Sequence, residues 1–248
     1  MNIKQEFNSF AKSQGLSSQF NEMYQQQVEG LTPYILEERE MRVTQMDVFS
    51  RLLMDRIIWL SGPVTQQMSD IVQAQLLFLD SVDKKRDITL YINSPGGSVL
   101  CGLGIVDVMN YISADVATIN IGMAASMGSV ILSSGTKGKR ASLVYSKVMT
   151  HMVSSQYGGN IQDTTISHLE SHKYNYILFK LLAKNCGKTF EEMLESSRRD
   201  KWFNSKEALD FGLIDEIIGL DKNDSIEKQL EGFEKYYNKE VLSKDSVS

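Results

Sequence analysis

One serine has neighbours that suit a nucleophile. Ser126 lies in IGMAASMGSV, residues 121–130, directly after a run that is typical of a buried strand. A nucleophilic hydroxyl must stand exposed on a tight turn with backbone close on both sides, and small neighbours permit that approach. The spacing is similar to the Gly-x-Ser-x-Gly turn of hydrolases, with Ala124 in the place of the first glycine. A serine that caps the following helix is the alternative interpretation.

A glycine-rich segment has the composition to stabilise negative charge. SPGGS, residues 94–98, follows a predicted strand and opens a predicted helix. Gly96 and Gly97 permit positive φ and leave backbone N–H groups uncovered, and such groups bind an anion or a developing oxyanion. A plain strand-to-helix turn is the alternative. The Gly-x-x-x-x-Gly-Lys-Ser/Thr pattern is absent from the sequence, so the segment is not a phosphate loop.

A histidine at the end of an apolar run is a candidate base. His151 closes the strand-like segment VMTH and is one of three histidines in the chain. A neutral imidazole at a strand end can take a proton from a serine near neutral pH. A buried histidine with satisfied hydrogen bonds is the alternative.

The other two histidines lie four residues apart on one face of a predicted helix. Such a spacing can hold zinc. However, in HLESH the glutamate follows His168 by two residues, whereas the zinc-protease pattern places it one residue after the first histidine. No third ligand is evident in the sequence. We therefore predict no metal site and interpret His168 and His172 as part of an exposed or interface helix face.

Strand-like and helix-like segments alternate along the chain, which predicts an α/β fold of stacked βα units with buried parallel strands. Strands are predicted at RIIWLSG, DITLYINS, DVATINIG and LIDEIIG, and extended segments at ASLVYSKVMTH. A helix over residues 64–82 has one apolar face made of Met68, Ile71, Val72, Leu76 and Leu79. Further helices are predicted at SVLCGLGIVDVMNYI, at AASMGSVILSSG, from Ile161 to Asn185, and at SKEALDFG with a glycine stop at Gly212.

Composition narrows the class of protein. The chain has 248 residues and a net charge of −5 without a dense basic block, which argues against nucleic-acid binding. Two cysteines, Cys101 and Cys186, favour free thiols in a reducing compartment. No apolar stretch is long enough to cross a bilayer, and the N-terminus lacks the apolar core of a secretory signal. These features predict a cytoplasmic protein.

Three parts are predicted along the chain. Residues 1–30 are polar and rich in Gln and Ser, which indicates a propeptide or disordered leader. Residues 31–220 form the predicted domain, and residues 221–248 form a charged C-terminal tail.

Five segments taken together resemble the caseinolytic Clp protease proteolytic subunit family. They are YINSPGGSV, GMAASMGS, KGKR, VMTH and RRDKWFNSKEALDFGLIDEI. The resemblance runs in the same order over roughly residues 31–219, which is most of the chain.

This resemblance implies roles for particular residues in a serine endopeptidase. Ser126 matches the nucleophile, His151 the general base, and Asp200 in RRDKW the acid of the triad. The backbone N–H groups of Gly97 and Met127 match the oxyanion hole. Without the resemblance, Asp200 would be interpreted as a surface acid in a charged run.

The resemblance also implies an architecture and partners. The expected fold is a crotonase-like α/β spiral of ββα units with a protruding handle helix, here residues 161–185. Two stacked seven-membered rings would enclose the active sites, and an AAA+ ATPase would unfold polypeptides and feed them in. Leu77, Tyr91 and Tyr111 match positions that dock this ATPase. The chain itself needs no cofactor, because ATP belongs to the partner.

Two other functions remain open from the sequence. A crotonase-type acyl-CoA enzyme would share the glycine-rich segment but would not need Ser126 together with His151. A non-catalytic ring subunit would usually lack a triad residue, whereas this chain retains all three.

Overall fold

Strands and helices alternate in this computed structural model, which describes residues 34–39, 42–154 and 159–219. The predicted leader, residues 1–30, and the predicted tail, residues 221–248, lie outside the described residues. The strands are β1 (Tyr34–Arg39), β2 (Arg42–Asp47), β3 (Ile57–Ser61), β4 (Ile88–Ser94), β5 (Val116–Ala125), β6 (Arg140–Leu143), β7 (Lys147–Thr150), β8 (Lys201–Phe203) and β9 (Glu216–Ile218). The helices are α1 (Val48–Met54), α2 (Gln66–Val82), α3 (Val99–Tyr111), α4 (Met127–Ser133), α5 (Ile161–Cys186), α6 (Phe190–Ser196) and α7 (Ser205–Phe211).

The main sheet is mostly parallel, as predicted for an α/β fold. Among the described strands its order is β3-β4-β5-β6-β9, and β7 pairs with β5 and with β8. The β7–β8 pair is antiparallel, whereas the other pairs of this sheet are parallel. β1 and β2 form a separate antiparallel hairpin.

Apolar periodicity places α2 against the sheet. Of its five predicted apolar residues, Ile71, Val72, Leu76 and Leu79 are buried, and Met68 packs against the core while partly exposed. The strands supply the other side of the core through Leu60, Leu90 and Ile92, none of which is exposed. Burial of one such side chain contributes about 1.5–3 kcal/mol. This layer therefore stabilises the parallel sheet, whose strands β5 and β7 lead to the candidate site.

β5 changes partners halfway along its length. Its residues Thr118–Asn120 pair with β6, and its residues Met123–Ala125 pair with β7. Asn120 Nδ2 bridges the split, because it donates to Ser142 Oγ and to the Lys147 carbonyl, both at 3.1 Å. The second pairing extends β5 through Ala125, three residues beyond the predicted strand. The predicted helix at 124–135 accordingly begins later, at Met127.

The long helix α5 divides into two parts with different surroundings. Its C-terminal part packs into the core through Leu178, Phe179 and Leu182. Its N-terminal part is exposed, and Ile161 and Leu169 are 85% and 57% accessible. This distribution agrees with the predicted protruding helix. No helix in the described part of the chain is long and apolar enough to cross a membrane.

An almost fully buried arginine joins β6 to the C-terminal ends of two helices. Arg140 is 1% exposed and forms hydrogen bonds with Asp215 through Nε and Nη2, at 2.8 and 2.6 Å. Its Nη1 donates to the carbonyls of Ser133 and Asn185, which lie near the C-terminal ends of α4 and α5. The Arg140 side chain therefore fixes β6 to both α4 and α5.

Candidate active site

The turn between β5 and α4 presents Ser126 in a strained conformation. Its φ is 53° and its ψ is −120°, a positive φ that residues other than glycine rarely adopt. The Ser126 amide donates to the Met149 carbonyl at 2.9 Å, which fastens the turn to β7. The side chain makes no capping hydrogen bond to α4, so the alternative of a helix-capping serine is wrong. Strain held by its surroundings at a reactive side chain is typical of functional sites.

The glycine-rich segment packs directly on this turn. A Cβ added to Gly96, whose φ is +92°, would lie 2.6 Å from Ser126 Cβ and 2.7 Å from the Ala125 carbonyl oxygen. A Cβ on Gly97 would lie 2.4 Å from the Val64 carbonyl oxygen. Both positions therefore require glycine, and the close approach brings the backbone of residues 96–97 beside the serine.

Two backbone N–H groups remain uncovered beside Ser126. Val64 and Gly97 form a parallel bridge, in which the Val64 amide donates to the Gly96 carbonyl and the Val64 carbonyl accepts from the Ser98 amide. The Gly97 amide therefore faces away from Val64. Met127 is the first residue of α4, where an amide has no partner within the helix. Neither amide donates to an acceptor within the described residues. Both are therefore available to an oxygen that approaches Ser126.

His151 lies between the serine and a carboxylate. His151 Nε2 is 2.8 Å from Ser126 Oγ, and His151 Nδ1 is 3.2 Å from Asp200 Oδ1. The histidine side chain is 23% exposed, whereas that of Asp200 is 64% exposed. The alternative of a buried histidine does not describe His151. Asp200 is exposed in a charged run, as the alternative for this residue has it, but its carboxylate also contacts the imidazole.

Strand pairing explains how residues 49 positions apart in sequence meet. In the antiparallel ladder of β7 and β8, Thr150 lies opposite Lys201. The next residue of one strand therefore faces the preceding residue of the other, and these are His151 and Asp200. β8 itself was not predicted, since its three residues, KWF, are too few to show a periodic pattern.

A pocket beside the serine is lined by apolar side chains. Val130, Leu178, Phe179 and Leu182 line it together with Gly97, Ser126, Thr150 and His151. Such a lining is chemically suited to an apolar side chain.

The comparison with known proteins identifies the family. The model of the Clp protease family matches residues 38–221, about three quarters of the chain. The chain belongs to the Clp protease family. A relative from Bacteroides fragilis is 50% identical over 188 residues, which are 76% of this chain and 91% of that protein. Another from Porphyromonas gingivalis is 46% identical over 220 residues, or 88% and 98% of the two chains.

A third relative, from Streptococcus pyogenes, is 48% identical over 190 residues, or 76% of this chain and 97% of its own. All three are named ATP-dependent Clp protease proteolytic subunit. This Clp family chain is accordingly a serine endopeptidase subunit, as predicted. The acyl-CoA enzyme and the non-catalytic subunit are not favoured.

The other two histidines of this Clp family chain lie away from the pair formed by Ser126 and His151. His168 and His172 are exposed on α5, with their Nε2 atoms 3.3 Å apart. No group of three His, Cys, Asp or Glu residues in the described part of the chain is arranged to hold a metal ion. Both histidines are exposed in the single chain, and the interpretation of this face as exposed or interface stays a prediction.

The three residues predicted to dock an ATPase lie on three elements. Leu77 is half-buried on α2. Tyr91 lies in β4, and its ring stacks on that of Trp59 with 5.7 Å between the ring centroids. Tyr111 ends α3 and is 81% exposed. Their role stays a prediction.

Residues that support the site were harder to find in the sequence. The Thr150 and Ser197 hydroxyls bond to each other at 2.9 Å, and Asn175 Oδ1 accepts from the Val153 amide at 3.1 Å. Only the polar Thr150 within an otherwise apolar VMT run gives any signal of the first contact.

Proposed function

We propose that Ser126, His151 and Asp200 form the catalytic triad of this endopeptidase. One observation carries the proposal: a single imidazole lies 2.8 Å from the serine hydroxyl and 3.2 Å from a carboxylate, through its two different nitrogens. These are the contacts that a base needs in order to take the serine proton while its tautomer is fixed.

Acylation follows from these positions. His151 Nε2 takes the proton of Ser126 as Oγ attacks the substrate carbonyl carbon, and the carbonyl oxygen becomes an oxyanion. The amides of Gly97 and Met127 donate to this oxyanion, a contribution of about 2.7–4 kcal/mol for one donor in other enzymes. His151 then gives its proton to the leaving amine. Asp200 accepts from Nδ1–H and stabilises the imidazolium.

Deacylation uses the same groups in reverse. Water enters where the amine has left, and His151 removes its proton as the water oxygen attacks the acyl-serine ester. Collapse of the second oxyanion breaks the bond between the acyl carbon and Ser126 Oγ, and His151 returns its proton to Oγ as the carboxylic acid product leaves. All proton transfers and charge stabilisation come from protein groups, so we propose that the chain requires no cofactor.

The substrate class follows from the pocket and the name of the relatives. The apolar wall of Val130, Leu178 and Phe179 favours an apolar side chain before the cleaved bond. We infer that the substrates are unfolded polypeptides cleaved to short peptides. The relatives are named as ATP-dependent, and we propose that an AAA+ unfoldase supplies the ATP-driven step here, docking at Leu77, Tyr91 and Tyr111.

Assembly and location are proposed on similar grounds. The exposed apolar residues of α5, including Ile161, Ile166 and Leu169, suit burial between two stacked heptameric rings. Buried free thiols at Cys101 and Cys186 are compatible with the reducing cytoplasm.

A fluorophosphonate probe tests the triad. We expect mass spectrometry to locate the adduct on Ser126, and the adduct to be lost in His151→Ala. Ser81→Ala is the control, since Ser81 lies on α2 and bonds only to its own helix at the Phe78 carbonyl; it should label as the parent does. An adduct on another serine, or unchanged labelling of His151→Ala, contradicts the proposal.

A further inference from the structure

Within the described residues, one buried hydrogen bond between side chains ties the strand that ends next to His151 to the segment that carries Asp200. Thr150 Oγ1 and Ser197 Oγ lie 2.9 Å apart, and the two residues are 1% and 0% exposed. Thr150 is the last residue of β7 and directly precedes His151. Ser197 follows α6 and lies three residues before Asp200.

Few other contacts hold Asp200. Its side chain is 64% exposed, and within the described residues it accepts a hydrogen bond only from His151. The adjacent Arg198 pairs with Glu195, but both side chains are at least 65% exposed and such pairs contribute little. The position of the carboxylate therefore depends on the backbone of residues 197–201.

That backbone has two anchors to β7. One is the short β7–β8 ladder, in which Lys201 lies opposite Thr150. The other is Ser197, whose Oγ contacts Thr150 Oγ1 at 2.9 Å, Ser196 Oγ at 3.3 Å and Met193 Sδ at 3.9 Å. The segment with Asp200 spans the interval between these anchors, so the hydroxyl pair limits how far the carboxylate can move from the imidazole.

The chemistry of the pair supports a directional role. A buried hydroxyl is unfavourable unless it is hydrogen-bonded, and an apolar pair would fill the same space without that requirement. A hydrogen bond, unlike an apolar contact, fixes both distance and angle.

We propose that Thr150 and Ser197 are positioning residues that set the His151–Asp200 contact during catalysis. The inference rests on the proposed triad. Neither hydroxyl forms a hydrogen bond with Ser126 within the described residues, and both act through the imidazole and the carboxylate. Thr150 also lines the pocket beside Ser126, so the split between kcat and KM separates positioning from substrate binding. Among the described residues that line the pocket with His151 and Asp200, the other charged ones are Arg198 and Arg199.

The test removes each hydroxyl in the full-length protein. Thr150→Val and Ser197→Ala are compared with Thr150→Ser, which keeps the hydroxyl. Thr118→Val and Ser69→Ala are matched controls: both are 0% exposed, and their hydroxyls donate to the carbonyls of Leu132 and Cys101. Peptide turnover is divided by the number of sites that a fluorophosphonate titrates, so that loss of folded enzyme is not counted as loss of rate.

We expect Thr150→Val and Ser197→Ala each to lower kcat about tenfold with little change in KM, the size of one lost hydrogen bond. The double variant should lose little more than either single one, because both remove the same bond. Thr150→Ser and both controls should keep the parent kcat.

Several results overturn the inference. If Thr150→Val keeps the parent kcat, the hydroxyl has no positioning role. If Thr118→Val loses as much kcat as Thr150→Val, the effect is general to buried hydroxyls. If Thr150→Val does not fold, Ser197→Ala removes the same bond from the other side. Asp200→Asn is measured in parallel: if it too has the parent kcat, the triad itself fails, whereas an impaired Asp200→Asn beside an unaffected Thr150→Val rejects only the positioning role.

Discussion

At the scale of single residues, the site combines one strained serine with one exposed acid. The positive φ of Ser126 is maintained by the hydrogen bond from its amide to the Met149 carbonyl and by the close backbone of Gly96. Asp200 has no comparable enclosure, and water reaches most of its carboxylate. The three groups of the proposed triad therefore differ in how firmly they are held.

Substitution of Asp200 measures how the exposure of its carboxylate affects catalysis. We expect Asp200→Asn to lower kcat by about 10²–10³, less than the roughly 10⁴ known for a buried aspartate in another triad, because water weakens the attraction to the imidazolium. Steady-state turnover of a fluorogenic peptide is the measurement. Asp210→Asn, an exposed acid paired with Lys206, is the control and should keep the parent kcat. Loss of the full 10⁴ would show that exposure does not matter.

A comparison of two glycines distinguishes the effect of backbone strain from the effect of close packing against the Ser126 turn. Gly62 and Gly96 have φ of +87° and +92°, but a Cβ on Gly62 meets nothing within 4 Å. Each change to alanine should cost about 1 kcal/mol from the positive φ. Gly96→Ala should in addition abolish peptide cleavage, because its Cβ would displace the Ser126 turn.

Thermal unfolding and peptide turnover of Gly62→Ala and Gly96→Ala are the measurements. An active Gly96→Ala would contradict the packing described here, and so would a Gly62→Ala that loses activity while remaining folded.

At the scale of elements, the contact of α3 with α4 positions one side of the candidate oxyanion hole. A Cβ on Gly102 of α3 would lie 2.2 Å from Cγ of Met127, the first residue of α4. For a Cβ on Gly104 the nearest atom would be Nε2 at the end of the Gln73 side chain, at 3.1 Å. The two glycines of one helix therefore differ in what they permit.

Alanine at these two positions should have opposite effects. Both changes improve helix propensity by about 1 kcal/mol, and Gly104→Ala should raise the melting temperature without changing kcat. Gly102→Ala should lower both, because Met127 must move and its amide moves with it. Calorimetry and turnover check this pair, and a fully active, stabilised Gly102→Ala would contradict it.

At the scale of the whole molecule, the Arg140–Asp215 pair makes stability depend on pH. Burial alone would raise the pKa of Asp215, but hydrogen bonds from Arg140, Lys137 and the Gly138 amide hold this pKa well below its ordinary value. A carboxyl group with a lowered folded-state pKa stabilises the fold above the unfolded pKa of about 4, and this contribution is lost as the pH falls below that value.

Asp215→Asn should therefore destabilise the protein most at neutral pH. We expect a loss of about 3–5 kcal/mol at pH 7, because the buried Arg140 loses its charged partner. The difference from the parent should narrow as the pH falls below about 4. Urea unfolding between pH 7 and pH 3 is the measurement. Asp55→Asn, which breaks an exposed pair with Arg51, should cost at most about 1 kcal/mol, and an equal loss there would refute the special role of Arg140.

Local sequence determined a large part of this protein. Apolar periodicity predicted α2, the alternation of strands and helices predicted the parallel sheet, and a glycine predicted the end of α7 at Gly212, where φ is +92°. The small residues around Ser126 indicated the turn, and the strand end at His151 indicated a candidate base. These features depend on neighbours within a few residues, which the sequence displays directly.

Only the tertiary structure decided how these parts meet. The extension of β5 to Ala125 comes from its pairing with β7, and it moved the start of α4 from the predicted residue 124 to Met127. The approach of Asp200 to His151 comes from the β7–β8 ladder, and the Thr150–Ser197 bond crosses 47 residues of sequence. Contacts between distant strands arise when the sheet assembles, so no local pattern records the distance, the exposure or the strain that they impose on the site.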